Sequence, residues 1–188
     1  MLDKYDCLKK LAARRGSSDT VVTTMSVSMP WAELSVTPLD FASVDSAMGH
    51  GADFAYGIAL AQPDRRVLCL NGDGSTLMCL GTLVTVTAEP APNFTLIITE
   101  NGTYEVTGNQ PVPGAGSVDF EGMARAAGVK EVHTIETEAD FDAKLDLHFT
   151  APGPAVFVWR IERADEPVPK PSAPIKQRAH ALRDALTS

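Results

Sequence analysis

The sequence lacks an excess of basic residues, a long hydrophobic run and a leader-like amino terminus. Its 188 residues carry 16 lysines and arginines against 24 aspartates and glutamates, a formal net charge of −8. This charge disfavours binding to nucleic acid or to an anionic membrane. Since no run of roughly 18 apolar residues is present, a membrane-spanning helix is not expected. The start, Met1-Leu2-Asp3-Lys4, is unlike a signal peptide, and we expect a cytoplasmic protein.

Cysteine pairs and the common nucleotide-binding motifs are also missing. Cys7, Cys69 and Cys79 are isolated, and no CxxC pair is present, which argues against a zinc ribbon or an iron–sulfur cluster. We interpret Cys69 and Cys79 as small apolar residues of a strand and a helix. The chain has no Walker-type Gly-Lys-Ser/Thr, and no G-x-G-x-x-G follows the first predicted strand.

The apolar segments alternate between strand-like and helix-like patterns. This alternation predicts an α/β fold with three layers (α/β/α) and a mostly parallel central sheet of about six strands. The predicted strands are residues 20–24, 41–44, 66–71, 94–100, 132–135 and 155–161. The predicted helices are residues 2–15, 31–34, 51–61, 75–89, 119–127 and 138–149.

The chain divides at its carboxyl-terminal end. Residues 1–163 are predicted to form one domain, and 164–188 a proline-rich linker followed by a helix. Four prolines in residues 164–174 favour an extended linker, and residues 175–186 regain helical spacing. The helix is interpreted either as docking on a partner subunit or as a solvated tail.

Two polar turns follow neighbouring apolar strands. Gly72-Asp73-Gly74 follows one strand and Asn101-Gly102 follows the next, with Asp73 and Asn101 28 residues apart. Adjacent parallel strands end at the same edge of a sheet, so these two side chains are expected to face each other there. A carboxylate and an amide oxygen suit Mg²⁺, which takes oxygen ligands and shares them with phosphate groups. The two glycines allow the backbone to approach a phosphate closely.

These turns carry a family resemblance. Gly72-Asp73-Gly74-Ser75, followed by residues 100–104 (ENGTY), resembles the signature of thiamine diphosphate enzymes in their diphosphate-binding domain. The longer run 101–111 (NGTYEVTGNQP) is most similar to the branch with sulfopyruvate and phosphonopyruvate decarboxylases. The resemblance covers about residues 1–163. It implies thiamine diphosphate and Mg²⁺ as cofactors, the thiamine diphosphate-binding fold, and decarboxylation of a small 2-oxoacid.

The resemblance also implies residue roles. Asp73 and Asn101 would bind Mg²⁺ through their side chains, and Thr103 through its carbonyl. Met48 would wedge between the two rings of the cofactor, and the carbonyl of Ser46 would accept a hydrogen bond from its aminopyrimidine. The complete set of implied cofactor-binding residues is Ser26, Ser28, Ser46, Met48, Gly49, Gly72, Asp73, Gly74, Ser75, Asn101, Thr103, Tyr104, Glu105 and Val106.

Some residues depart from the pattern or are left open. Glu105 stands where the sulfopyruvate branch has a small residue, and its carboxylate would repel a dianionic substrate unless it turns away. His50 is interpreted as either a pocket residue or a surface residue. The other histidines, His133, His148 and His180, are interpreted as surface or structural residues.

The resemblance further implies that half of the active site is supplied from elsewhere. In this family a glutamate of the pyrimidine-binding domain activates the cofactor, and 188 residues leave no room for that domain. A separate α subunit is therefore expected to supply it within a homo- or hetero-oligomer. The alternatives are an acetolactate synthase-like carboligase, a 2-oxoacid oxidoreductase subunit, a non-catalytic interaction subunit and an unrelated Mg²⁺-phosphate enzyme.

Overall fold

The structure, a computed structural model, describes residues 1–44, 48–164 and 173–187. Six strands form one sheet, in which every neighbouring pair is parallel. These strands are β1 (Thr20–Thr24), β2 (Asp40–Ser43), β3 (Val67–Gly72), β4 (Phe94–Glu100), β7 (Glu131–Ile135) and β8 (Ala155–Arg160). A separate antiparallel hairpin pairs β5 (Thr103–Tyr104) with β6 (Gln110–Pro111). The predicted parallel sheet is confirmed, whereas the hairpin was not predicted.

The helices agree with the sequence pattern except at two breaks. They are α1 (Lys4–Arg14), α2 (Ser28–Leu34), α3 (Gly51–Ala61), α4 (Asp73–Met78), α5 (Thr82–Ala88), α6 (Phe120–Ala126), α7 (Glu138–Lys144), α8 (Leu147–Thr150) and α9 (Ile175–Thr187). The single helix predicted at 75–89 is wrong, because the backbone leaves helical geometry at Cys79, with φ −129° and ψ 48°. The helix predicted at 138–149 is likewise divided into α7 and α8.

Two apolar clusters cover the two faces of the sheet. Alternate residues of β3 enter opposite clusters: Val67 and Cys69 pack with α3, α5 and α6, while Leu68 and Leu70 pack with α1, α2 and α7. Both faces are therefore buried, as expected for a three-layer α/β/α fold. Within the described ranges, no helix is both long enough and apolar enough to cross a lipid bilayer.

The carboxyl-terminal helix α9 packs on its own chain. Leu182 is buried in the cluster that contains Phe41 of β2. Arg178 Nε donates to the carbonyl of Ala42 at 3.1 Å, and Gln62 Nε2 donates to the carbonyl of Leu186 at 3.3 Å. The helix is thus not the solvated tail considered from the sequence. Most of the predicted linker, 165–172, lies outside the described residues, and the boundary between 163 and 164 stays a prediction.

The order of the strands determines where a ligand can bind. In the strand order β2-β1-β3-β4-β8-β7, β1 lies between β2 and β3. The connection that follows β1 leads to β2 on one side, whereas the connection that follows β3 leads to β4 on the other side. Loops that follow strands on either side of such a reversal diverge and leave a crevice at the carboxyl edge. The crevice here lies beyond the ends of β1 and β3.

Candidate cofactor site

An open cleft occupies this crevice. It offers about 390 Å³ of space between its walls, part of it continuous with solvent. The cleft is lined by Met25, Ser26, Met48, Gly72, Asp73, Gly74, Ser75, Thr99, Asn101, Thr103, Tyr104, Glu105, Val106 and Thr107. Of the predicted cofactor residues, Ser28 and Gly49 do not line it, and Ser46 lies outside the described residues.

Asp73 joins the two polar turns. Its side chain is buried at the start of α4. Oδ2 accepts the backbone N–H groups of Asn101 at 3.0 Å and Gly102 at 2.7 Å, and Oδ1 accepts that of Gly74 at 2.6 Å. Burial raises the pKa of Asp73, the three N–H groups lower it, and the carboxylate of Glu105 raises it, with a net rise. The expected juxtaposition of Asp73 with the Asn101 turn is present.

The Asn101 turn is folded back on itself. Asn101 Oδ1 accepts the backbone N–H of Thr103 at 2.9 Å, an arrangement that mimics a backbone turn. The carbonyl of Gly102 accepts the N–H of Val112 at 3.0 Å, which joins the turn to the far side of the β5–β6 hairpin. Gly102 has φ +75°, a conformation that glycine adopts without a steric penalty.

Gly74 is required by an aromatic neighbour. A Cβ at this position would lie 2.2 Å from Cε1 of Tyr104, so the ring packs directly over the backbone of α4. At Gly72, by contrast, a Cβ would meet nothing within 4 Å. From the sequence, both glycines were expected to allow close approach of a phosphate. The structure shows a second reason for glycine at position 74, because a side chain there would clash with the ring of Tyr104.

A buried polar network behind the cleft was missed by the sequence argument. Thr24 donates to Asn71 Oδ1 at 3.0 Å, and Asn71 Nδ2 donates to Thr76 Oγ1 at 3.0 Å. Thr76 in turn donates to the carbonyl of Gly72 at 2.9 Å. These bonds fix the turn between β3 and α4 relative to β1. The available signal was Asn71 itself, an amide at the end of an otherwise apolar strand.

The end of β1 has an unusual backbone. Met25 has φ +46°, in the left-handed region that non-glycine residues seldom adopt. Met25 and Ser26 line the cleft, and Ser26 hydrogen-bonds to the carboxylate of Glu105. Ser28 instead lies buried in α2, where its hydroxyl oxygen accepts from Thr23 at 3.0 Å. The structure therefore separates the two serines that the resemblance grouped together.

Glu105 turns away from the open space. Lys4 donates to Oε2 at 2.7 Å, and the backbone N–H of Ala164 donates to Oε1 at 2.7 Å. Burial acts to raise the pKa of Glu105, but the Ala164 N–H, the Lys4 ammonium and the Ser26 hydroxyl lower it below its usual value. The charge that was expected to repel a dianionic substrate is thus paired within the chain.

Met48 and Gly49 form the turn that precedes α3. Met48 is half-buried and lines the cleft. Gly49 is buried with φ +92°, and a Cβ there would lie 2.9 Å from Cys79 Sγ and 3.0 Å from Met78 Cβ. Gly49 thus holds the Met48 turn against the end of α4 rather than facing the cleft.

Comparison with known sequences places this cleft in a family. The sequence model of the family "Thiamine pyrophosphate enzyme, C-terminal TPP binding domain" matches residues 23–159, which run from the end of β1 through both polar turns into β8. The chain belongs to the thiamine pyrophosphate enzymes. This result confirms the resemblance seen in the two turns.

Relatives within the thiamine pyrophosphate enzymes include two kinds of decarboxylase. A phosphonopyruvate decarboxylase of Streptomyces viridochromogenes is 36% identical over 110 residues, 58% of this chain and 27% of that protein. A sulfopyruvate decarboxylase subunit beta of Methanocaldococcus jannaschii is 30% identical over 138 residues, 72% of this chain and 71% of that protein. The chain thus spans only about a quarter of the phosphonopyruvate decarboxylases it matches.

A solved structure shares the fold. The thiamine diphosphate-dependent 4-hydroxybenzoylformate decarboxylase of Rhodococcus jostii RHA1 is 26% identical, with a TM-score of 0.73. The match covers 88% of this chain and 33% of that one. Together with the parallel sheet, it confirms the predicted three-layer fold of the thiamine pyrophosphate enzymes.

The chemistry of the cleft fits the metal-bound diphosphate of this family. Asp73 Oδ1 accepts only the N–H of Gly74 among the described groups, so one of its lone pairs remains for a cation. Asn101 Oδ1 accepts the backbone N–H of Thr103 at 2.9 Å, and the Thr103 hydroxyl lies 3.4 Å from it and 3.1 Å from Asn109 Oδ1. With that hydroxyl donating to Asn109, the second lone pair of Asn101 Oδ1 is available to a cation. Carboxylate and amide oxygens are hard ligands of the kind Mg²⁺ takes. The carbonyl of Thr103 as third ligand stays a prediction.

Proposed function

We propose that this chain is the diphosphate-binding subunit of a thiamine diphosphate- and Mg²⁺-dependent 2-oxoacid decarboxylase. The observation that carries the proposal is the Asp73 carboxylate, which bonds both polar turns at the mouth of a cleft at the topological switch point. When bound, thiamine diphosphate supplies the nucleophilic carbon and the electron sink for loss of carbon dioxide. The chain's residues hold and orient that cofactor.

Each wall of the cleft receives a role in this proposal. Asp73, Asn101 and the carbonyl of Thr103 hold Mg²⁺, which anchors the diphosphate. Gly72 and Ser75 line the cleft beside Asp73, and we assign the diphosphate oxygens to this turn. The buried bonds of the Asn71 network keep the turn rigid, so the anchor does not shift during turnover.

Met48 is proposed to set the shape of the bound cofactor. Its half-buried side chain lines the cleft from the turn that Gly49 locks against α4. A bulky apolar side chain there would hold the cofactor's two rings in the bent form and bring the reacting atoms together. The carbonyl of Ser46, outside the described residues, is assigned to the aminopyrimidine on the strength of the resemblance.

The pyrimidine half of the cofactor is proposed to bind a separate α subunit that donates the activating glutamate. The match to a sulfopyruvate decarboxylase subunit beta supports this division, because the alignment covers nearly equal shares of both chains. We propose a hetero-oligomer with the cofactor at the subunit interface.

The charge of the cleft restricts the substrate. Its described lining contains two carboxylates, Asp73 and Glu105, and no basic side chain, since Lys4 reaches Glu105 from behind. Because these carboxylates do not attract an anion, the small 2-oxoacid substrate is proposed instead from the relatives, a phosphonopyruvate decarboxylase and a sulfopyruvate decarboxylase subunit beta. A cation for a second anionic group, such as a sulfonate or phosphonate, would have to come from the partner.

Reconstitution tests the proposal. The purified chain, with Mg²⁺ and thiamine diphosphate, is assayed for carbon dioxide release from pyruvate, sulfopyruvate and phosphonopyruvate, alone and titrated with the matching α subunit. We expect no turnover by the chain alone and activity that saturates near equal amounts of the two chains. The control is an α subunit whose activating glutamate is replaced by glutamine. Sustained turnover by the chain alone, or none with the partner, would refute the split-site decarboxylase.

A further inference from the structure

A second cluster of chemically reactive side chains lies outside the cofactor cleft. His50 Nδ1 is 3.0 Å from Asp53 Oδ2, and Cys79 Sγ is 3.7 Å from His50 Nδ1 and 3.9 Å from Nε2. One donor atom from each residue lies within 4.8 Å of the others. In the described part of the chain this is the one group of three histidine, cysteine or acidic side chains so arranged.

These donors are of the kinds that a zinc-like cation takes. Imidazole nitrogen, thiolate sulfur and carboxylate oxygen all bind Zn²⁺, with bonds of about 2.0 Å to nitrogen and about 2.3 Å to sulfur. In a tetrahedral site, those lengths separate nitrogen from sulfur by roughly 3.5 Å. The thiol lies 3.7 Å from His50 Nδ1 and 3.9 Å from Nε2, so the ring as it stands presents neither nitrogen alone to it. Because one nitrogen binds the cation, binding requires the exposed His50 ring to turn until one nitrogen points at the cation and the other points away. Mg²⁺, which prefers oxygen ligands, does not suit this set.

Neighbouring residues orient the three donors. Thr82 donates its hydroxyl to Asp53 Oδ1, which leaves Oδ2 directed at His50. Gly49 has no Cβ, which would lie 2.9 Å from Cys79 Sγ, so the thiol can approach the turn that carries His50. Hydrogen bonds that fix ligand orientation are the usual support of a protein metal site.

The cluster is open on one side. A shallow, solvent-connected pocket adjoins it, lined by Asp53, Tyr56, Cys79, Gly81, Thr82 and Thr85. A fourth position on a bound cation is therefore accessible to water, as in zinc sites with three protein ligands. We propose that His50, Asp53 and Cys79 form a binding site for Zn²⁺ or a similar soft-to-borderline divalent cation, separate from the Mg²⁺ site at Asp73. Binding releases the thiol proton of Cys79 to solvent, since the thiolate is the ligand.

This site links two elements that the proposed function needs. His50 lies two residues after Met48, and Cys79 directly follows α4, the helix that begins at Asp73. A cation bound between them ties the Met48 turn to the helix of the metal loop.

Cobalt spectroscopy tests the site directly. The full chain, free of any affinity tag and saturated with Mg²⁺ and thiamine diphosphate, is titrated with Co²⁺. We expect one Co²⁺ per chain, a near-ultraviolet thiolate-to-cobalt charge-transfer band, and displacement of that band by Zn²⁺. The band should vanish in Cys79→Ser and in His50→Ala, and persist in the exposed-histidine control His180→Ala. Absence of the band in the unaltered chain, or its persistence in Cys79→Ser, would overturn the proposal.

One further measurement needs no variant, and a second compares two conservative variants of Thr82. Saturating Zn²⁺ should slow alkylation of Cys79 in the unaltered chain, followed by peptide mapping, and an unchanged alkylation rate would refute the site. Thr82→Val removes the hydroxyl that orients Asp53 and should weaken Zn²⁺ binding roughly tenfold, whereas Thr82→Ser should restore it. Equal Zn²⁺ affinities of the Val and Ser variants would contradict the assigned geometry.

Discussion

At the scale of single residues, the two oxygens of Asp73 have different surroundings, which suit the two purposes proposed for this residue. Oδ2 accepts both N–H groups of the Asn101–Gly102 turn, while Oδ1 keeps a lone pair for a cation. The residue thus builds the loop that is proposed to carry the second metal ligand. A substitution here should affect the shape of the loop and the charge of the site together.

We predict that Asp73→Asn abolishes Mg²⁺-dependent binding of thiamine diphosphate. The amide removes the negative charge, and its NH₂ group can replace an acceptor with a donor in front of the N–H groups of Asn101 and Gly102. Calorimetry on the assembled complex, with and without Mg²⁺, measures the effect. The matched control is Asp64→Asn, an exposed aspartate outside the cleft. Unchanged cofactor affinity in Asp73→Asn would remove the basis of the site assignment.

Met48 is predicted to orient the bound cofactor rather than to increase the affinity for it. Met48→Ala should lower kcat of the assembled enzyme by a much larger factor than it raises the dissociation constant of the cofactor, because the anchor at Asp73 remains. Met48→Leu keeps the bulk and should retain most of the turnover. Steady-state kinetics and calorimetry on the same preparations separate the two quantities. Normal turnover with weakened cofactor binding would show that Met48 is part of the anchor instead.

The residues that the sequence revealed were those with a local signature. Asp73 and Asn101 stood out because polar side chains followed apolar strands at glycine turns. Asn71 is also a polar residue at the end of an apolar strand, but its bonds to Thr24 and Thr76 could not be predicted, since they depend on how β1, β3 and α4 meet in space. The pairing of Glu105 with Lys4 joins residues 101 positions apart, which no local pattern could predict.

At the scale of elements, the break between α4 and α5 shows where periodicity fails. Residues 75–89 have the length and apolar spacing of one helix, yet α4 ends at Met78 and α5 begins at Thr82. Gly81 was the available local signal, since glycine weakens a helix interior. The break places Cys79 beside the Met48–His50 turn, a contact set by tertiary packing rather than by local propensity.

Helix α9 is predicted to stabilise the fold of its own chain. Leu182→Ala removes a buried side chain that packs near β2, and should lower the free energy of unfolding by roughly 2–3 kcal/mol. Lys176→Ala, at an exposed position of the same helix, should change it by less than about 0.5 kcal/mol. Urea unfolding of both variants gives the two values. Equal stability of Leu182→Ala and the unaltered chain would mean that the helix does not hold this position in solution.

At the scale of the whole molecule, fold class was predictable but strand order was not. Alternating strand and helix patterns imply a parallel sheet covered on both faces, because parallel strands require crossover connections. The order β2-β1-β3-β4-β8-β7 depends on pairings between distant segments, such as β4 with β8. The resemblance in the two polar turns, rather than periodicity, indicated the family fold.

The stability of the molecule is predicted to fall in mild acid through His148. Its ring stacks on Phe157, its Nε2 accepts the indole N–H of Trp159 at 2.9 Å, and its Nδ1 lies 3.0 Å from the carbonyl of Lys144. Burial lowers the pKa of His148 from 6.5 to about 4, against the opposing effect of the carbonyls of Leu145 and Lys144. The interpretation of His148 as a structural residue is consistent with this burial.

The sign of the effect follows from proton uptake. Below pH 6.5 this histidine is protonated in the unfolded chain, whereas in the folded chain it stays neutral down to about pH 4. This difference should remove up to about 3 kcal/mol of unfolding free energy across that window. The free energy of unfolding, measured in urea, is compared between about pH 7 and pH 4. It should fall less steeply with decreasing pH in His148→Gln than in the unaltered chain or in the exposed control His180→Gln. Identical slopes in all three would exclude His148 as the cause.

The hydrogen bonds of Glu105 allow opening of the cleft to be measured by hydrogen exchange. Glu105 is one of the residues that line the cofactor cleft, and its carboxylate accepts from Lys4 at the start of α1 and from the amide of Ala164 after β8. Any opening that swings residues 103–107 outward must release the Ala164 amide to solvent. A ligand that holds the cleft closed should therefore slow deuterium uptake at the Ala164 amide, although Ala164 is distant in sequence from both polar turns. Exchange at this one position would report how often the cleft opens, independently of any catalytic assay.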